Sequence, residues 1–265
     1  MEETSTDQTA TTSTGSGESS GHRRPVSEKI MGLEARWLMG RVMPREFLDG
    51  VDEYLEHVAP ERRDELMAAI KSRAEELYEA NEDMATDAPA KGGLAICGVV
   101  LAAYETLLPV FDGDKARTIL YLQHVMATVL KRTYEITFSF LSEREDPLDK
   151  IEKACTKMKA FYPAYFVWEF GRPEPGLFEM KVKRCFFRDF FARHDATLVT
   201  TVMCAFDVNF MRAIDPAVSG LRAERTSLLS LGDDECRFAV METDDPLAVY
   251  SDALDRRFVE TRETG

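Results

Sequence analysis

The sequence has 265 residues, of which 45% are apolar, and it carries a formal net charge of −14 with a pI near 4.9. This length and composition suit one large domain or two small ones around a packed core. Phosphate binding needs a basic stripe, which this acidic chain lacks, so the composition argues against nucleic acid as the main ligand.

The first segment, residues 1–25, is predicted to be a disordered tail. It is rich in Ser, Thr and Gly and has no apolar cluster, so burial cannot offset the entropy lost on ordering. It lacks the apolar stretch that is typical of a signal peptide. No later run of apolar residues is long enough without interruption to predict a membrane helix. Five widely spaced cysteines are unlike a secreted disulfide framework and indicate reduced thiols. We therefore expect a cytoplasmic protein without a membrane partner.

Residues 26–161 are predicted to form a helical layer, interrupted first at Pro44. A helix beginning at Pro60 has acids in its first turn. Its buried stripe is predicted to be Leu66, Ile70, Ala74 and Leu77. The next segment, GLAICGVVLAAYETLLPVF, predicts a helix buried nearly all round. Its carboxylate, Glu105, must be paired, reach solvent at an edge or line a cavity.

One long helix is predicted for ARTILYLQHVMATVLKRTYEITFSFL. His124 lies on it among apolar residues and is interpreted as a hydrogen-bonded core residue. A further helix is predicted to begin at Pro147, with Cys155 in its apolar stripe.

The hydrophobic period changes from helical to alternating after residue 161. AYFVWEF and GLFEMKVKRC flank the turn-like RPEP and predict a hairpin. A helix or helix pair is expected over residues 186–214. A second hairpin is predicted where SGLRAERTSLLSL and ECRFAVMET bracket GDD. The predicted fold is therefore α+β, with an N-terminal helical layer packed on a C-terminal antiparallel sheet of hairpins.

The predicted organisation is a single α+β domain over residues 26–245. Residues 26–161 form its helical part and residues 162–245 its sheet-rich part. Residues 246–265 are expected to form a charged tail or a short helix.

The candidate chemistry lies between Phe178 and Val240. Cys185 falls at a strand-to-helix junction, where the unpaired N–H groups of a helix start favour a thiolate. Cys204 and Asp207 are one helical turn apart and are expected on one helix face. Cysteine catalysis needs a base and a donor for developing negative charge. His194 or Asp207 could accept a proton, and Arg184, Arg225 or a backbone N–H could hold the charge.

Metal chemistry is less favoured by the sequence than covalent catalysis. Structural zinc sites usually contain close Cys-x-x-Cys pairs, and the sequence has none. No cofactor is predicted. If zinc were bound, it would favour metal-activated water as the nucleophile.

Four segments, RCFFRDFF, CAFDVNF, ERTSLLSLGDDECRF and GLAICGVVLAAYETLL, resemble the L-2-amino-thiazoline-4-carboxylic acid hydrolase family. The matching positions in the first three are Cys185, Cys204, Asp207, Arg225, Thr226, Gly232 and Cys236. The resemblance implies hydrolysis of a carbon–nitrogen bond in a cyclic amidine, as in the conversion of 2-aminothiazoline-4-carboxylate to N-carbamoylcysteine. The chain departs from the family pattern by having Arg188, Leu228 and Arg237 where members often have His, Thr and Asp.

The leading hypothesis is thus a small-molecule hydrolase with a pocket between the helices and the sheet. Its predicted catalytic residues are Cys185, Cys204, Asp207 and His194. Its predicted substrate-binding residues are Arg225, Thr226, Cys236 and Glu105. The alternatives are a non-catalytic small-molecule-binding domain of the same fold and a tailoring enzyme of secondary metabolism. Each of these three hypotheses is compatible with a homo-oligomer. Convergence of the three thiols with Asp207 on one concavity is the observation that would favour the hydrolase.

Overall fold

The computed structural model describes residues 26–162 and 164–255. The predicted disordered tail, residues 1–25, lies outside the described residues, as do residues 256–265 of the predicted C-terminal tail. Helices occupy the first part of the described chain, and a five-stranded sheet is formed by the last part. The α+β fold with an N-terminal helical region is therefore confirmed.

Seven α-helices of the described chain precede the sheet. They are α1 (Val26–Trp37), α2 (Met43–Val58), α3 (Arg63–Ala80), α4 (Ala88–Leu107), α5 (Lys115–Met126), α6 (Lys131–Ser142) and α7 (Pro147–Met158). A π-helical turn, Leu38–Val42, joins α1 to α2. The predicted interruption is present at this π-helical turn rather than at Pro44 itself, which lies in the first turn of α2.

The central helices have the burial that their sequences predict. Leu66, Ile70, Ala74 and Leu77 are all buried in α3, and α4 is buried over most of its circumference. Helix α1 approaches α4 closely at Gly92, where a Cβ atom would lie 3.0 Å from the Cα of Arg36.

The predicted long helix after residue 115 is instead two helices, α5 and α6. Leu130 between them has a left-handed backbone (φ 54°), and its N–H donates to the Glu46 carboxylate over 2.9 Å. This contact from α2 stabilises the break. His124 is exposed rather than buried, so its interpretation as a core residue is wrong.

The sheet contains strands β1 (Val167–Glu174), β2 (Leu177–Arg184), β3 (Leu221–Ser227), β4 (Cys236–Glu242) and β5 (Ser251–Asp252), in the order β1-β2-β4-β3-β5. Both predicted hairpins are present, because β1 pairs with β2 and β3 pairs with β4, each antiparallel. The sheet is mixed rather than antiparallel, since β5 runs parallel to β3. Residues 251–252 of the predicted tail thus belong to the sheet.

Four short helices connect the two hairpins. They are α8 (Phe186–Arg193), α9 (Thr200–Phe206), α10 (Val208–Arg212) and α11 (Pro216–Ser219), in place of the predicted helix or helix pair. Helix α8 packs on α4, and α9 packs on α5.

Two helical segments, Ala88–Leu107 and Thr197–Ser219, have the length and apolar composition to cross a bilayer. Their most apolar windows are 72% and 78% buried inside the protein. Both segments therefore contribute to the protein core.

Candidate functional site

The centre of the candidate site is the guanidinium of Arg225 on β3, which is 0% exposed. Its Nε and Nη2 donate to the two carboxylate oxygens of Asp252 over 2.9 and 2.6 Å. Its Nη1 donates to Asp207 Oδ2 over 3.1 Å and to the carbonyl oxygen of Cys204 over 2.9 Å. Because protein groups engage all three nitrogens, Arg225 holds β3, β5 and the end of α9 together and does not face a substrate.

Asp207 follows the last residue of α9, and 27% of its side chain remains exposed. Burial raises the pKa of the Asp207 carboxyl to about 6, because lost hydration outweighs the attraction of Arg225, while Asp252 repels the carboxylate and raises the pKa further. A carboxyl group with this pKa exchanges protons near neutral pH.

The three predicted thiols lie close together. Cys185 is near enough to Cys204 and Cys236 for their charged forms to repel one another. Cys204 Sγ lies 3.4 Å from Ser230 Oγ, and Cys236 Sγ accepts the backbone N–H of Leu229 over 3.3 Å. Two of the three sulfurs therefore have hydrogen-bond partners within the protein.

Burial keeps all three thiols protonated near neutral pH. It raises the pKa of Cys204 to about 11 and raises the pKa values of Cys185 and Cys236 as well. The backbone N–H groups of Arg188 and Phe187 at the start of α8 oppose the shift at Cys185, but desolvation outweighs them. The predicted resting thiolate at Cys185 is therefore wrong, because desolvation of the thiol raises its pKa by more than the helix start lowers it.

A cavity of about 210 Å³ adjoins this cluster. It lies between α6, α9 and the π-helical turn, and its wall includes Tyr134 and Tyr162. Asp207 interacts electrostatically with both tyrosine hydroxyls, and Cys185 interacts with that of Tyr162. Among the described residues the cavity wall contains no cysteine. The thiols and Asp207 thus converge behind the tyrosines instead of lining the cavity themselves.

The remaining predicted site residues lie elsewhere. His194 Nε2 is 3.1 Å from Asn81 Nδ2, and its ring packs on Phe190 at 4.9 Å between centroids. Glu105 accepts from Arg73 Nε over 2.8 Å. Burial lowers the pKa of His194, and the Glu105 carboxylate opposes this shift. These two residues therefore lie near each other, and no described contact joins either of them to the thiols.

Thr226 and Cys236 lie on the two paired strands of the second hairpin. Thr226 is exposed at an irregularity in the pairing of β3 with β4, while Cys236 is buried at the start of β4. Of this pair, only Cys236 belongs to the thiol cluster.

Sequence reasoning missed four residues of the site: Asp252, Ser230, Tyr134 and Tyr162. A buried arginine requires a paired carboxylate, so Arg225 was a signal that another acid was needed, but nothing in the pattern identified Asp252. The tyrosines lie on or after helices far along the chain from the thiols, and no motif connects them.

The three residues that depart from the family pattern, Arg188, Leu228 and Arg237, all make contacts within the protein. Arg188 Nε donates to the carbonyl oxygen of Leu229 over 3.2 Å, and Leu228 is fully buried. Arg237 Nε lies 3.5 Å from Glu179 and 3.4 Å from Glu235. Within residues 26–162 and 164–255, no group of three His, Cys, Asp or Glu side chains has the arrangement of a metal site.

The sequence profile of the L-2-amino-thiazoline-4-carboxylic acid hydrolase family matches residues 95–240, more than half of the chain. The matched range includes the three clustered thiols, Asp207 and Arg225, whereas Asp252 follows it. No curated protein matches the sequence. Because the match covers most of the site as well as half of the chain, the protein belongs to the L-2-amino-thiazoline-4-carboxylic acid hydrolase family.

Proposed function

We propose that the protein is a small-molecule hydrolase that opens a cyclic amidine or a related heterocycle. Its family membership supports a hydrolytic reaction. The observation that carries the proposal is Asp207, a carboxyl group with a pKa of about 6 that lies beside three thiols and a cavity. Hydrolysis of an amidine needs proton transfers, and a group that gains and loses protons near neutral pH is well suited to catalyse them.

Cys185 is the proposed nucleophile. It is half-buried, whereas Cys97, Cys155, Cys204 and Cys236 are buried. The N–H groups at the start of α8 face its sulfur and favour negative charge there. Tyr162 interacts electrostatically with both Cys185 and Asp207, so its hydroxyl lies near both groups.

The proposed reaction has two balanced steps. In the first, the Cys185 sulfur bonds to the amidine carbon, the thiol proton passes to Asp207, and the ring bond to that carbon breaks as Asp207 protonates the leaving atom. In the second, water adds to the same carbon, the carbon–sulfur bond to Cys185 breaks, and the thiol regains a proton. The net change is the addition of one water molecule.

The bond that breaks depends on the ring. N-Carbamoylcysteine retains both amidine nitrogens on the reacting carbon, so opening of 2-aminothiazoline-4-carboxylate breaks the ring carbon–sulfur bond. The carbon–nitrogen cleavage that the resemblance implied for this conversion is therefore corrected to carbon–sulfur cleavage. A ring without sulfur would break at carbon–nitrogen. Attack at the amidine carbon is common to both cases.

A non-catalytic binding domain of the same fold is the second candidate. The observation that favours it is the raised pKa of all three clustered thiols, because protonated thiols are poor nucleophiles. It predicts that a cyclic amidine binds without being consumed.

The test is turnover of 2-aminothiazoline and substituted derivatives by the wild-type protein and by Cys185→Ser. We expect the variant to lose at least about 1,000-fold in kcat, since a covalent nucleophile is removed. Cys97→Ala is the control, because Cys97 is buried on α4 and burial alone shifts its pKa, so it has no described interaction with the thiol cluster, Asp207 or the two tyrosines. A folded Cys185→Ser protein with unchanged turnover would contradict the nucleophile, and binding without wild-type turnover would favour the second candidate.

A further inference from the structure

We infer that the substrate carries an apolar, ring-containing substituent where 2-aminothiazoline-4-carboxylate carries its carboxylate. This inference rests on the proposed function, because it takes the cavity beside Asp207 and Cys185 as the place where the body of the substrate binds. It adds the class of substituent at the ring position where the family's named substrate carries a carboxylate.

The charge of the cavity wall is the first argument. None of the described residues that line the cavity is Lys, Arg or His. Arg225, the cation of the neighbouring site, is 0% exposed and bonded to Asp207, Asp252 and a backbone carbonyl. A bound carboxylate would therefore lose its hydration without gaining a partner, which is strongly unfavourable. An uncharged substituent has no such cost.

The shape and composition of the cavity are the second argument. Its volume of about 210 Å³ exceeds the roughly 150 Å³ of an apolar cavity that binds benzene. The wall combines the flexible side chains of Met39, Met43, Met158 and Met203 with aromatic rings such as that of Phe138. Methionine adapts to ligand shape and makes favourable sulfur–aromatic contacts. A substituted aromatic ring fits both the volume and the chemistry of this wall.

The position of the polar groups is the third argument. The hydroxyls of Tyr134 and Tyr162 both interact with Asp207, so the two phenol hydroxyls of the cavity wall lie toward the thiol cluster. An amidine is positively charged when protonated, and it would be attracted to a carboxylate on that side. The reacting carbon then lies toward Cys185, and the apolar substituent extends among the methionines.

The experiment compares two substrates that share the reacting ring: 2-aminothiazoline-4-carboxylate, and 2-amino-4-phenylthiazoline, in which a phenyl group replaces the carboxylate. We expect kcat/KM for the phenyl compound to be at least about tenfold higher. Binding of both compounds is measured by titration calorimetry, so that recognition is separated from turnover.

A pair of variants on α6 tests the role of the wall directly. Thr137 is exposed and lines the cavity, so Thr137→Arg adds a cation beside the substituent. We expect it to reduce the preference for the phenyl compound by about tenfold. Ile136→Arg is the matched control, because Ile136 is the preceding residue, is 63% exposed and does not line the cavity. It should leave the preference unchanged.

The outcomes separate the two proposals. Preferred opening of the phenyl compound, with the shift confined to Thr137→Arg, supports both. Preferred opening of the carboxylate compound overturns the inference and leaves the hydrolase. Tight binding of the phenyl compound without opening of either ring overturns the hydrolase and leaves the cavity assignment. Absence of binding and turnover with both compounds overturns both.

Discussion

Asp207 is the residue whose ionisation most affects the behaviour of the site. Its pKa is about 6, above the ordinary value of 3.8, so the unfolded chain gives up this proton at lower pH than the folded protein does. A raised carboxyl pKa stabilises the fold fully below about pH 3.8, and this stabilisation is lost as pH rises through about 6. Asp207→Asn removes the effect.

We therefore expect the stability difference between wild type and Asp207→Asn to change by about 2 kcal/mol between pH 4.5 and 7.5, with the wild type losing stability relative to the variant. Urea unfolding at the two pH values measures this difference. The wild-type kcat/KM should also rise with pH around 6, as the carboxyl becomes a proton acceptor. A pH profile that is identical in the variant would contradict the role of Asp207.

The helices and strands are stabilised by contacts between segments that are far apart in sequence, and the pairing of β5 with β3 is the clearest example. Asp252 on β5 provides both carboxylate oxygens to the buried Arg225 on β3. Asp252→Ala should cost about 3–5 kcal/mol, because it leaves a buried cation with one remaining acidic partner. Ser251→Ala, at the neighbouring position of the same strand, is the control and should cost less than about 1 kcal/mol. Denaturant unfolding measures both.

A double variant, Arg225→Met with Asp252→Leu, distinguishes charge from packing. We expect it to be more stable than Asp252→Ala, since apolar groups can replace a buried ion pair with little loss. If the double variant were the less stable protein, the charge argument would be wrong and the strand pairing itself would depend on the salt bridge.

The close contact between α1 and α4 leads to a second prediction, which concerns the packing of these two helices. A Cβ atom at Gly92 would lie 3.0 Å from Arg36 Cα and 3.1 Å from Arg36 O, both backbone atoms that can move only with their helix. Gly92→Ala should therefore destabilise the protein by about 1–3 kcal/mol. Gly32→Ala on α1 is the control, because its nearest neighbour would be 3.6 Å away and alanine favours a helix interior. Thermal unfolding should show a lower Tm for the first variant only.

These elements also show how much the sequence could predict. The buried stripe of α3 and the two hairpins follow from local periodicity and turn residues, and both are confirmed. The break between α5 and α6 depends on a carboxylate 84 residues away, so no local pattern contained it. Arg225 contacts Asp207 and the backbone of Cys204, and Cys185 lies near Cys204, but these residues lie behind the cavity and not on the one concavity that was predicted. Asp252 and the cavity tyrosines could not be predicted, because long-range packing alone brings them to the site.

At the scale of the whole molecule, the thiols provide a test of the packing. Four of the five cysteines are buried and Cys185 is half-buried. We expect at most one equivalent of thiol to react with a disulfide reagent in the folded protein at pH 8, and five after denaturation, because reaction requires an accessible thiolate. The reacting equivalent should disappear in Cys185→Ser. Rapid reaction of several thiols without denaturant would contradict the described packing.

The late position of Asp252 in the chain also affects the order of folding during synthesis. Domains fold as units while the ribosome releases the chain from its N-terminal end, and Arg225 emerges before its bidentate partner. Until residue 252 has left the ribosome, closing β3 over the end of α9 would bury an incompletely paired guanidinium. Completion of this protein's core is therefore expected to wait for its last described strand, and a nascent chain stalled before that point should remain sensitive to protease in the β3–β4 hairpin.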